Sequence, residues 1–397
     1  MEKIQGTIAS PLGFHAAGIH CGLKKKKLDL GWIYSETPAS VAGVFTTNQV
    51  QAAPIKQSKA VVQAGKIQAV IVNSGNANAC TGEQGLHNAQ TMQQLAGAQL
   101  DIAPELVAVA STGVIGHQLD MAKITSGVTA LKQTAEQAAH FQQAILTTDT
   151  IEKAVTVKTV IADQEVIISG CAKGSGMIHP NMATMLGFVT TDAAISSELL
   201  QTALKELTEV TFNQITVDGD TSTNDMVLVL ANGMAGNPEM TTVTTDYEQF
   251  KAALAWVMTE LAKLIAKDGE GATKLIEVNV VGAQTAIAAR MIAKSIVGSM
   301  LVKSAIFGKD PNWGRILCAV GYSGIEFDPA TVTIELAGIT VFEKGEPLAF
   351  DQTQMAENLA AEAVNITVKL AAGVATGQAW GCDLTYDYVK INALYHT

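Results

Sequence analysis

The chain has 397 residues, of which 48% are hydrophobic and 16% are charged, and its net charge at pH 7 is −11. This composition allows a large buried core and differs from that of disordered proteins, which are rich in charge and poor in apolar residues. A protein that binds nucleic acid needs a basic surface. The acidic balance and the presence of only two arginines, Arg290 and Arg315, argue against that class.

Cysteine usage and the first residues favour a reducing compartment. The five cysteines are odd in number and widely spaced, and no CxxC pair occurs, which argues against a disulfide scaffold or a zinc ribbon. The amino terminus lacks the charged-then-apolar pattern of a signal peptide, and Lys or Arg interrupts every long apolar stretch, including residues 283–307. We therefore expect a cytoplasmic protein.

Strand-like and helix-like segments alternate along the chain, which predicts an α/β or α+β layered fold. Apolar, β-branched runs predict strands at residues 67–72, 106–110, 165–169, 185–189, 226–230, 275–281 and 332–336. Helical spacing of apolar residues predicts helices at residues 83–95, 121–146, 196–207, 247–267 and 355–363. We expect turns at residues 73–76 and 111–113, because turn-forming residues end the first two strands there.

The loop predicted at residues 174–181 is the most unusual of the chain. It is rich in Gly, Ser, Asn and Pro, which permit tight backbone geometry, and it joins two predicted strands. Thr184 stands at its end, where a nucleophile would be held by a strand on one side and a strained loop on the other. Threonine is also common in ordinary strands, so position alone leaves both interpretations open.

Several common functional motifs are missing from the sequence. There is no GxxxxGK[ST] loop, no complete dinucleotide-binding glycine pattern, no HExxH zinc motif and no GxSxG nucleophile elbow. Residues 218–225 resemble half of a calcium loop, but Val229 stands where the bidentate Glu would be required. We interpret that segment as a loop rich in turns.

Eight segments carry a recognisable pattern and follow one another in order from residue 43 almost to the chain end. They are residues 43–48, 72–82, 111–116, 173–186, 218–225, 268–274, 310–315 and 380–392. Together they resemble the ornithine acetyltransferase family, also called the glutamate N-acetyltransferase family. The resemblance implies a two-domain layered α/β fold that shares the reaction logic of N-terminal-nucleophile hydrolases.

The same resemblance implies self-cleavage between Ala183 and Thr184, which gives an α chain of residues 1–183 and a β chain of residues 184–397. In this family the freed Thr carries an acetyl group from N2-acetylornithine to glutamate, which recycles the acetyl group in arginine biosynthesis. No organic cofactor or metal is then needed. The family also suggests two α and two β chains in one assembly. Some members accept acetyl-CoA as a second donor, and the sequence leaves both forms open.

Self-cleavage would solve a chemical problem, because a Thr hydroxyl is a poor nucleophile without a base. Attack of the Thr184 hydroxyl on the Ala183 carbonyl gives an ester that water can hydrolyse. The new terminus carries an α-amino group, whose usual pKa of about 7.7–8.0 suits general base catalysis. Nucleophile and base then belong to one residue.

The remaining site residues are carried over from the family at matching positions. Thr112 and Gly113 are expected to form the oxyanion hole that stabilises the tetrahedral intermediate. Lys173 is expected to bind a substrate carboxylate, and Glu270 the side-chain ammonium of ornithine. The full set of expected substrate-binding residues is Thr147, Lys173, Thr184, Glu270, Asn392 and Thr397.

Two other functions compete with this interpretation. An N-terminal-nucleophile amidase or aminopeptidase would share the self-cleavage but release its acyl group to water. A binding protein on an inherited scaffold would tolerate Thr184→Ala without loss of function. Three outcomes distinguish these functions. An acetyltransferase transfers the acyl group to glutamate, a hydrolase releases it to water, and a binding protein keeps its function in the Thr184→Ala variant.

Overall fold

A computed structural model describes residues 1–132, 137–179 and 185–394 of the chain. The strands are β1 (Glu2–Ile4), β2 (Phe14–Ile19), β3 (Leu30–Phe45), β4 (Lys66–Asn76), β5 (Val107–Val114), β6 (Lys153–Ile161), β7 (Gln164–Lys173), β8 (Leu186–Thr191), β9 (Ile215–Thr216), β10 (Met226–Ala231), β11 (Leu275–Ala283), β12 (Thr333–Leu336), β13 (Ile339–Glu343), β14 (Glu346–Pro347), β15 (Ala363–Lys369) and β16 (Ala375–Cys382). The helices are α1 (Ala53–Ala64), α2 (Gly82–Leu100), α3 (Met121–Ala130), α4 (Ala138–Ala144), α5 (Ser197–Val210), α6 (Thr245–Lys267), α7 (Ala286–Gly298), α8 (Met300–Phe307), α9 (Trp313–Gly321), α10 (Gln352–Leu359) and α11 (Tyr386–Leu394).

The first sheet follows the order β1-β6-β7-β8-β10-β3-β4-β5, and β2 pairs with β3. The long strand β3 belongs to both halves of this sheet. Its first half pairs with β2 and β4, and its last residues pair with β10. Ile33 and Val70 from one half share a buried cluster with Phe188 and Leu228 from the other. The sheet therefore folds over on itself, which brings the ends of β5 and β7 together although four strands separate them in the pairing order.

The second sheet, in the order β14-β13-β12-β15-β11-β16-β9, forms a layer of its own. Its strands pack against α7, α9 and α10 around a separate buried cluster that includes Ile292, Val320 and Leu359. Strand β11 alternates fully and partly buried positions, as expected for a sheet with one face on the core.

Helix α6 joins the two layers. It runs for 23 residues and is preceded by Thr244, whose side chain accepts the Tyr247 N–H. Asp246 and Glu248 lie in its first turn, where the helix dipole stabilises carboxylates. Its side chains pack on β6 and β7 of the first sheet, and Trp380 and Cys382 of β16 belong to the same buried cluster as Leu261. The two sheets thus share one continuous apolar contact.

The layered α/β fold with two sheets confirms the fold class predicted from the alternating segments. Two local predictions were wrong: residues 73–76 and 111–113 continue strands β4 and β5, because β4 and β5 stay paired as far as Asn76 and Val114. The helix predicted at 121–146 is two helices, α3 and α4, and α10 ends at Leu359. No helix in the described ranges has the length and apolarity that a membrane span requires.

Gly377 lies where α7 approaches the second sheet closely and gives a test of this packing. A Cβ at this position in β16 would lie 2.5 Å from the Arg290 nitrogen and 2.7 Å from the Ala289 carbonyl carbon of α7. We expect Gly377→Ala to push α7 away and to destabilise the protein by about 1–3 kcal/mol, the usual effect of overpacking. Thermal unfolding measures this. The matched control is Gly321→Ala, where no atom lies within 4 Å of the added Cβ; an equal loss in both variants would contradict the packing.

Candidate active site

One cleft gathers side chains from distant parts of the chain. It encloses about 620 Å³, including its open mouth, beside the carboxyl ends of β5 and β7. The residues expected from the sequence that line it are Thr112, Gly113, Thr147, Lys173, Glu270 and Asn392. The fold therefore brings together every expected oxyanion or substrate-binding residue that lies in the described part of the chain.

The backbone conformation and the close packing at position 113 both require glycine. Its φ of +132° is unfavourable for residues with a side chain, and a Cβ would lie 2.4 Å from the carbonyl carbon of Gly75 in β4. Thr112 beside it is 7% exposed. The pair thus lies at the end of β5, pressed against β4, with little freedom to move.

Lys173 ends β7 and reaches the same point from the other half of the folded sheet. Its side chain is 8% exposed, and Nζ donates a hydrogen bond of 3.3 Å to Thr112 Oγ1. A nearly buried ammonium next to a hydroxyl is suited to binding a carboxylate or to stabilising negative charge on an oxygen.

A buried ion cluster holds this side of the cleft. Lys153, which is fully buried, places Nζ 2.7 Å from Asp149 Oδ1 and 2.5 Å from Asp268 Oδ2. Asp149 also accepts the Thr147 N–H at 2.9 Å and the Gly174 N–H at 2.7 Å. Burial alone would raise the pKa of Asp149, but the charges of Lys173 and Lys153 and the Gly174 hydrogen bond hold it well below its usual range.

Asp268, the other carboxylate of this cluster, connects the cleft to the end of α6. It accepts the Thr150 N–H at 3.0 Å, and its backbone carbonyl accepts the Ser175 hydroxyl at 2.6 Å. Lys153 contacts both carboxylates. The loops that carry Thr147, Gly174 and Glu270 are therefore held in place around one buried ammonium.

Glu270 forms the opposite wall of the cleft. Asn392 Nδ2 of α11 donates to Glu270 Oε2 at 2.7 Å, and the Glu270 N–H binds the Ser175 carbonyl at 2.9 Å. Gly176 packs directly under the carboxyl group, because a Cβ there would lie 2.3 Å from Glu270 Cδ. No ion pair with Glu270 occurs among the described residues, and the side chain is only 8% exposed, so this carboxylate can receive a ligand cation.

The loop at residues 174–179 is fixed by the acidic loop that precedes β10. Asp218 accepts the Met177 and Ile178 N–H groups at 2.7 and 2.8 Å, and Tyr388 Oη donates to the same carboxylate at 3.3 Å. The His179 carbonyl accepts the Thr221 hydroxyl at 2.9 Å. The segment that the sequence suggested as half a calcium loop thus anchors backbone, and no cluster of His, Cys, Asp or Glu arranged for a metal occurs in the described ranges.

Three of the residues named from the sequence, Ala183, Thr184 and Thr397, lie outside the described residues. Met185, which follows Thr184 directly, is 2% exposed, and its carbonyl accepts the Met226 N–H at 2.9 Å. Met185 and Leu186 also line a smaller cavity next to Thr112 and Lys173. Met185, the first described residue after Thr184 in the chain, thus borders that cavity.

Comparison with known proteins identifies the family. The profile of the ArgJ family matches residues 15–397, which is nearly the whole chain. The chain belongs to the ArgJ family. The arginine biosynthesis bifunctional protein ArgJ of Streptococcus thermophilus is 57% identical over 398 residues, which cover 100% of both chains.

Two solved structures match part of the chain. The arginine biosynthesis bifunctional protein ArgJ of Bacillus halodurans is 55% identical, with a TM-score of 0.52, and the match covers 52% of this chain and 98% of that one. Ornithine acetyltransferase of Mycobacterium tuberculosis, complexed with ornithine, is 35% identical with a TM-score of 0.40, and the match covers 45% of this chain and 96% of that one.

Membership of the ArgJ family confirms the recognition made from the eight segments and the assignment to the acyltransferases of arginine biosynthesis. The roles of individual residues stay predictions, as does the division of the chain at residue 184.

Sequence reasoning missed the buried groups behind the cleft. Lys153 follows Ile151 and Glu152 in a stretch that looks like an ordinary charged surface, and Asp149 sits between threonines in a loop. The sequence predicts a loop at Asn224, yet the Asn224 amide donates to the carbonyls of Ala77 (2.6 Å) and Ser111 (2.8 Å) and so fixes the residue before Thr112. The family segment at 218–225 was the only available signal for Asn224.

Removal of the central charge tests the ion cluster. We expect Lys153→Met to destabilise the protein by about 3–5 kcal/mol, because it removes the one ammonium that contacts both buried carboxylates, Asp149 and Asp268. The matched control is Lys158→Met, since Lys158 pairs with Glu165 at 3.3 Å on the surface and such pairs contribute about 0–1 kcal/mol. Denaturant unfolding of both variants provides the comparison, and equal effects would contradict the role of the cluster.

His179 gives a prediction for pH dependence. Burial, and then the charge of Lys294, lower the pKa of His179 from 6.5 to about 4. Between these values the unfolded chain binds a proton that the folded protein does not, so stability falls as the pH drops from 6.5 to 4. The His179→Gln variant lacks this titrating group, so its stability should fall less between pH 6.5 and pH 4 than that of the wild type. Thermal midpoints measured across this range test it, with His87→Gln on α2 as the control; the same decline in all three proteins would refute it.

Proposed function

We propose that the chain transfers an acetyl group from N2-acetylornithine to glutamate through an acetyl ester on Thr184, giving ornithine and N-acetylglutamate. The observation that carries this proposal is the cleft, which is lined by a buried ammonium, a Thr-Gly pair held against β4 and a buried carboxylate without an ion-pair partner in the described ranges. An amino-acid substrate with an acylated α-nitrogen and a side-chain ammonium complements such a site.

Each group has a defined role in this proposal. Thr112 Oγ1 and the Gly113 N–H stabilise the oxyanion of the tetrahedral intermediate, and Lys173 binds the substrate α-carboxylate. Glu270, oriented by Asn392, pairs with the δ-ammonium of the ornithine group. Thr147, which Asp149 positions, and the terminal Thr397 complete the substrate-binding set with Thr184 itself. The acetyl group moves in two steps, so the kinetics are ping-pong.

The proposed self-cleavage divides the chain into residues 1–183 and 184–397. The match to the Bacillus halodurans chain supports this division, because that chain corresponds in length to about half of this one. Strands β8 and β10 of the second fragment lie between β7 and β3 of the first, so the two fragments stay paired after the cut. We propose an assembly of two copies of each fragment in the cytoplasm.

Acetyl-CoA is proposed as a second acetyl donor, because the matched relatives are named bifunctional. The assay supplies acetyl-CoA and glutamate without N-acetylornithine and measures N-acetylglutamate. Absence of product under conditions in which N-acetylornithine supports transfer would restrict the enzyme to recycling.

Intact mass under denaturing conditions tests the nucleophile. Wild-type protein should separate into the two fragments 1–183 and 184–397, and Thr184→Ala should remain one chain, because it lacks the attacking hydroxyl. A wild-type chain that stays whole would remove the α-amino base from the mechanism and with it the proposed function.

Replacement of Glu270 by Gln tests substrate recognition. The amide can still bind Asn392 but has no charge for the ornithine ammonium, so KM for N-acetylornithine should rise by about 10-fold or more, the usual effect of losing a buried charge pair. KM for glutamate should change less, since its side chain carries no cation. The control is Glu239→Gln at an exposed position. An unchanged KM for N-acetylornithine would contradict the role assigned to Glu270.

A further inference from the structure

Four consecutive lysines, Lys24–Lys27, form the only place in the sequence where basic side chains are adjacent. The chain around them has a net charge of −11, so this segment is a local positive patch on an acidic protein. Lys25, Lys26 and Lys27 are exposed, and none of them forms an ion pair with another residue in the ranges 1–132, 137–179 and 185–394. The proposed function has so far given these charges no role.

The lysine loop, residues 20–29 between β2 and β3, has an ordered backbone. The Asp29 side chain is fully buried and accepts the N–H groups of Cys21 at 2.6 Å and of Lys24 at 2.8 Å. The Asp29 carbonyl accepts the Ser74 N–H of β4 at 2.9 Å. The exposed ammonium groups are therefore carried by a backbone that needs no further ordering when a ligand binds.

This loop lies against the strand end that holds the expected oxyanion pair. A Cβ on Gly75 of β4 would lie 3.0 Å from Lys24 Cγ, and a Cβ on Gly113 would lie 2.4 Å from the Gly75 carbonyl carbon. Lys24 Nζ also donates to the carbonyl of Leu146 at 2.5 Å. Leu146 directly precedes Thr147, which lines the cleft. The lysine loop is thus attached to two segments that border the cleft.

An open cavity of about 810 Å³, including its mouth, is lined by residues of the lysine loop and of the segment 143–152. Lys26 and Lys27 line it together with Asp149 and Glu152. Asp149 is already neutralised within the buried ion cluster, and Glu152 accepts the Gln143 amide at 2.8 Å. The described part of this lining therefore carries a surplus of positive charge, which favours an anionic ligand.

Acetyl-CoA is the substrate of the proposed function that carries phosphate. Its diphosphate and its 3′-phosphate are anionic at neutral pH, and lysine ammonium groups bind phosphate as compact point charges. Its thioester lies at the far end of the long pantetheine arm, so the phosphates bind at a distance from the reacting carbonyl carbon. N-acetylornithine and glutamate have no phosphate and have no use for such a surface.

We propose that the lysine loop binds the phosphates of acetyl-CoA while the thioester lies in the cleft, an inference that rests on the proposed function and its second donor. Lys26 and Lys27 contact the phosphate oxygens at the open cavity, and Lys25 adds to the positive field there. Lys24 positions the loop through the Leu146 carbonyl. The pantetheine arm passes along residues 146–148 into the cleft.

Removal of the three exposed charges tests this inference. The triple variant Lys25→Gln, Lys26→Gln and Lys27→Gln should raise KM for acetyl-CoA, measured with glutamate as acceptor, by about 10-fold or more, because a hydrogen bond to a charged group contributes about a factor of ten in affinity. KM for N-acetylornithine should stay at the wild-type value, which also shows that the variant is folded.

The matched control replaces Lys3, Lys205 and Lys309, which are exposed in other parts of the chain, by Gln and so makes the same change in net charge. It should keep the wild-type KM for acetyl-CoA. An unchanged KM for acetyl-CoA in the loop variant, or an equal rise in the control, would overturn the proposal.

Adenosine 3′,5′-bisphosphate is a second probe, because it has the 3′-phosphate of coenzyme A but no pantetheine arm. It should inhibit the reaction with acetyl-CoA more than the reaction with N-acetylornithine, and its affinity in titration calorimetry should fall by about 10-fold in the loop variant. Equal inhibition of both reactions would overturn the proposal, since the phosphates would then bind in the cleft itself.

Failure of this inference and failure of the proposed function give different results. Wild-type protein that transfers acetyl from N-acetylornithine but binds neither coenzyme A nor the bisphosphate overturns the role of the lysine loop and leaves the recycling reaction in place. Wild-type protein that transfers no acetyl group from N-acetylornithine to glutamate contradicts the proposed function, and the role of the lysine loop fails with it.

Discussion

The buried charge of Lys153 is the interaction on which the geometry of the cleft depends. This lysine, at the start of β6, neutralises Asp149 and Asp268, and the two carboxylates in turn hold the backbone at Thr147, Thr150 and Gly174. An ion cluster of this kind contributes little net stability compared with an apolar core of the same volume. Its value lies in geometry, since one charge joins the loop that carries Thr147 and Thr150, the loop that begins at Gly174 and the end of α6 at Asp268.

The folded-over first sheet supplies the second constraint. Thr112 and Lys173 lie on strands that are separated by four other strands in the pairing order, and they meet only because β3 joins both halves of the sheet. Asn224 fastens this closure by binding carbonyl groups of Ala77 and Ser111 from a loop that leads into β10. The same closure encloses the small cavity that contains Asp225, so the oxyanion pair and the buried acid depend on one feature of the fold.

The sequence predicted the class of fold and much of the site, for different reasons. Periodicity located α6 almost to the residue, because its apolar face spans 23 residues and a capping Thr precedes it. The turn predicted at residues 111–113 from turn-forming residue types was wrong, because Gly113 instead allows β5 to pack closely against β4 at Gly75. The family segments supplied Thr112, Lys173 and Glu270, which no local pattern distinguishes from ordinary turn or surface residues.

The buried polar groups could not be predicted in this way. Lys153 and Asp268 are 115 positions apart, and nothing in either local sequence shows that they meet at 2.5 Å. Asp225 has the same difficulty, since its burial follows from the pairing of β8 and β10 and from the closure of the sheet. Such groups become visible only when the tertiary contacts are known.

Trapping of the acetyl-enzyme tests the central claim most directly. Cleaved protein is mixed with N-acetylornithine in the absence of glutamate, quenched in acid and analysed by mass spectrometry of its fragments. We expect one added acetyl group on the fragment that begins with Thr184, located at that residue, and its loss when glutamate is added. An enzyme that turns over both substrates but never carries an acetyl group on that fragment would contradict transfer through Thr184.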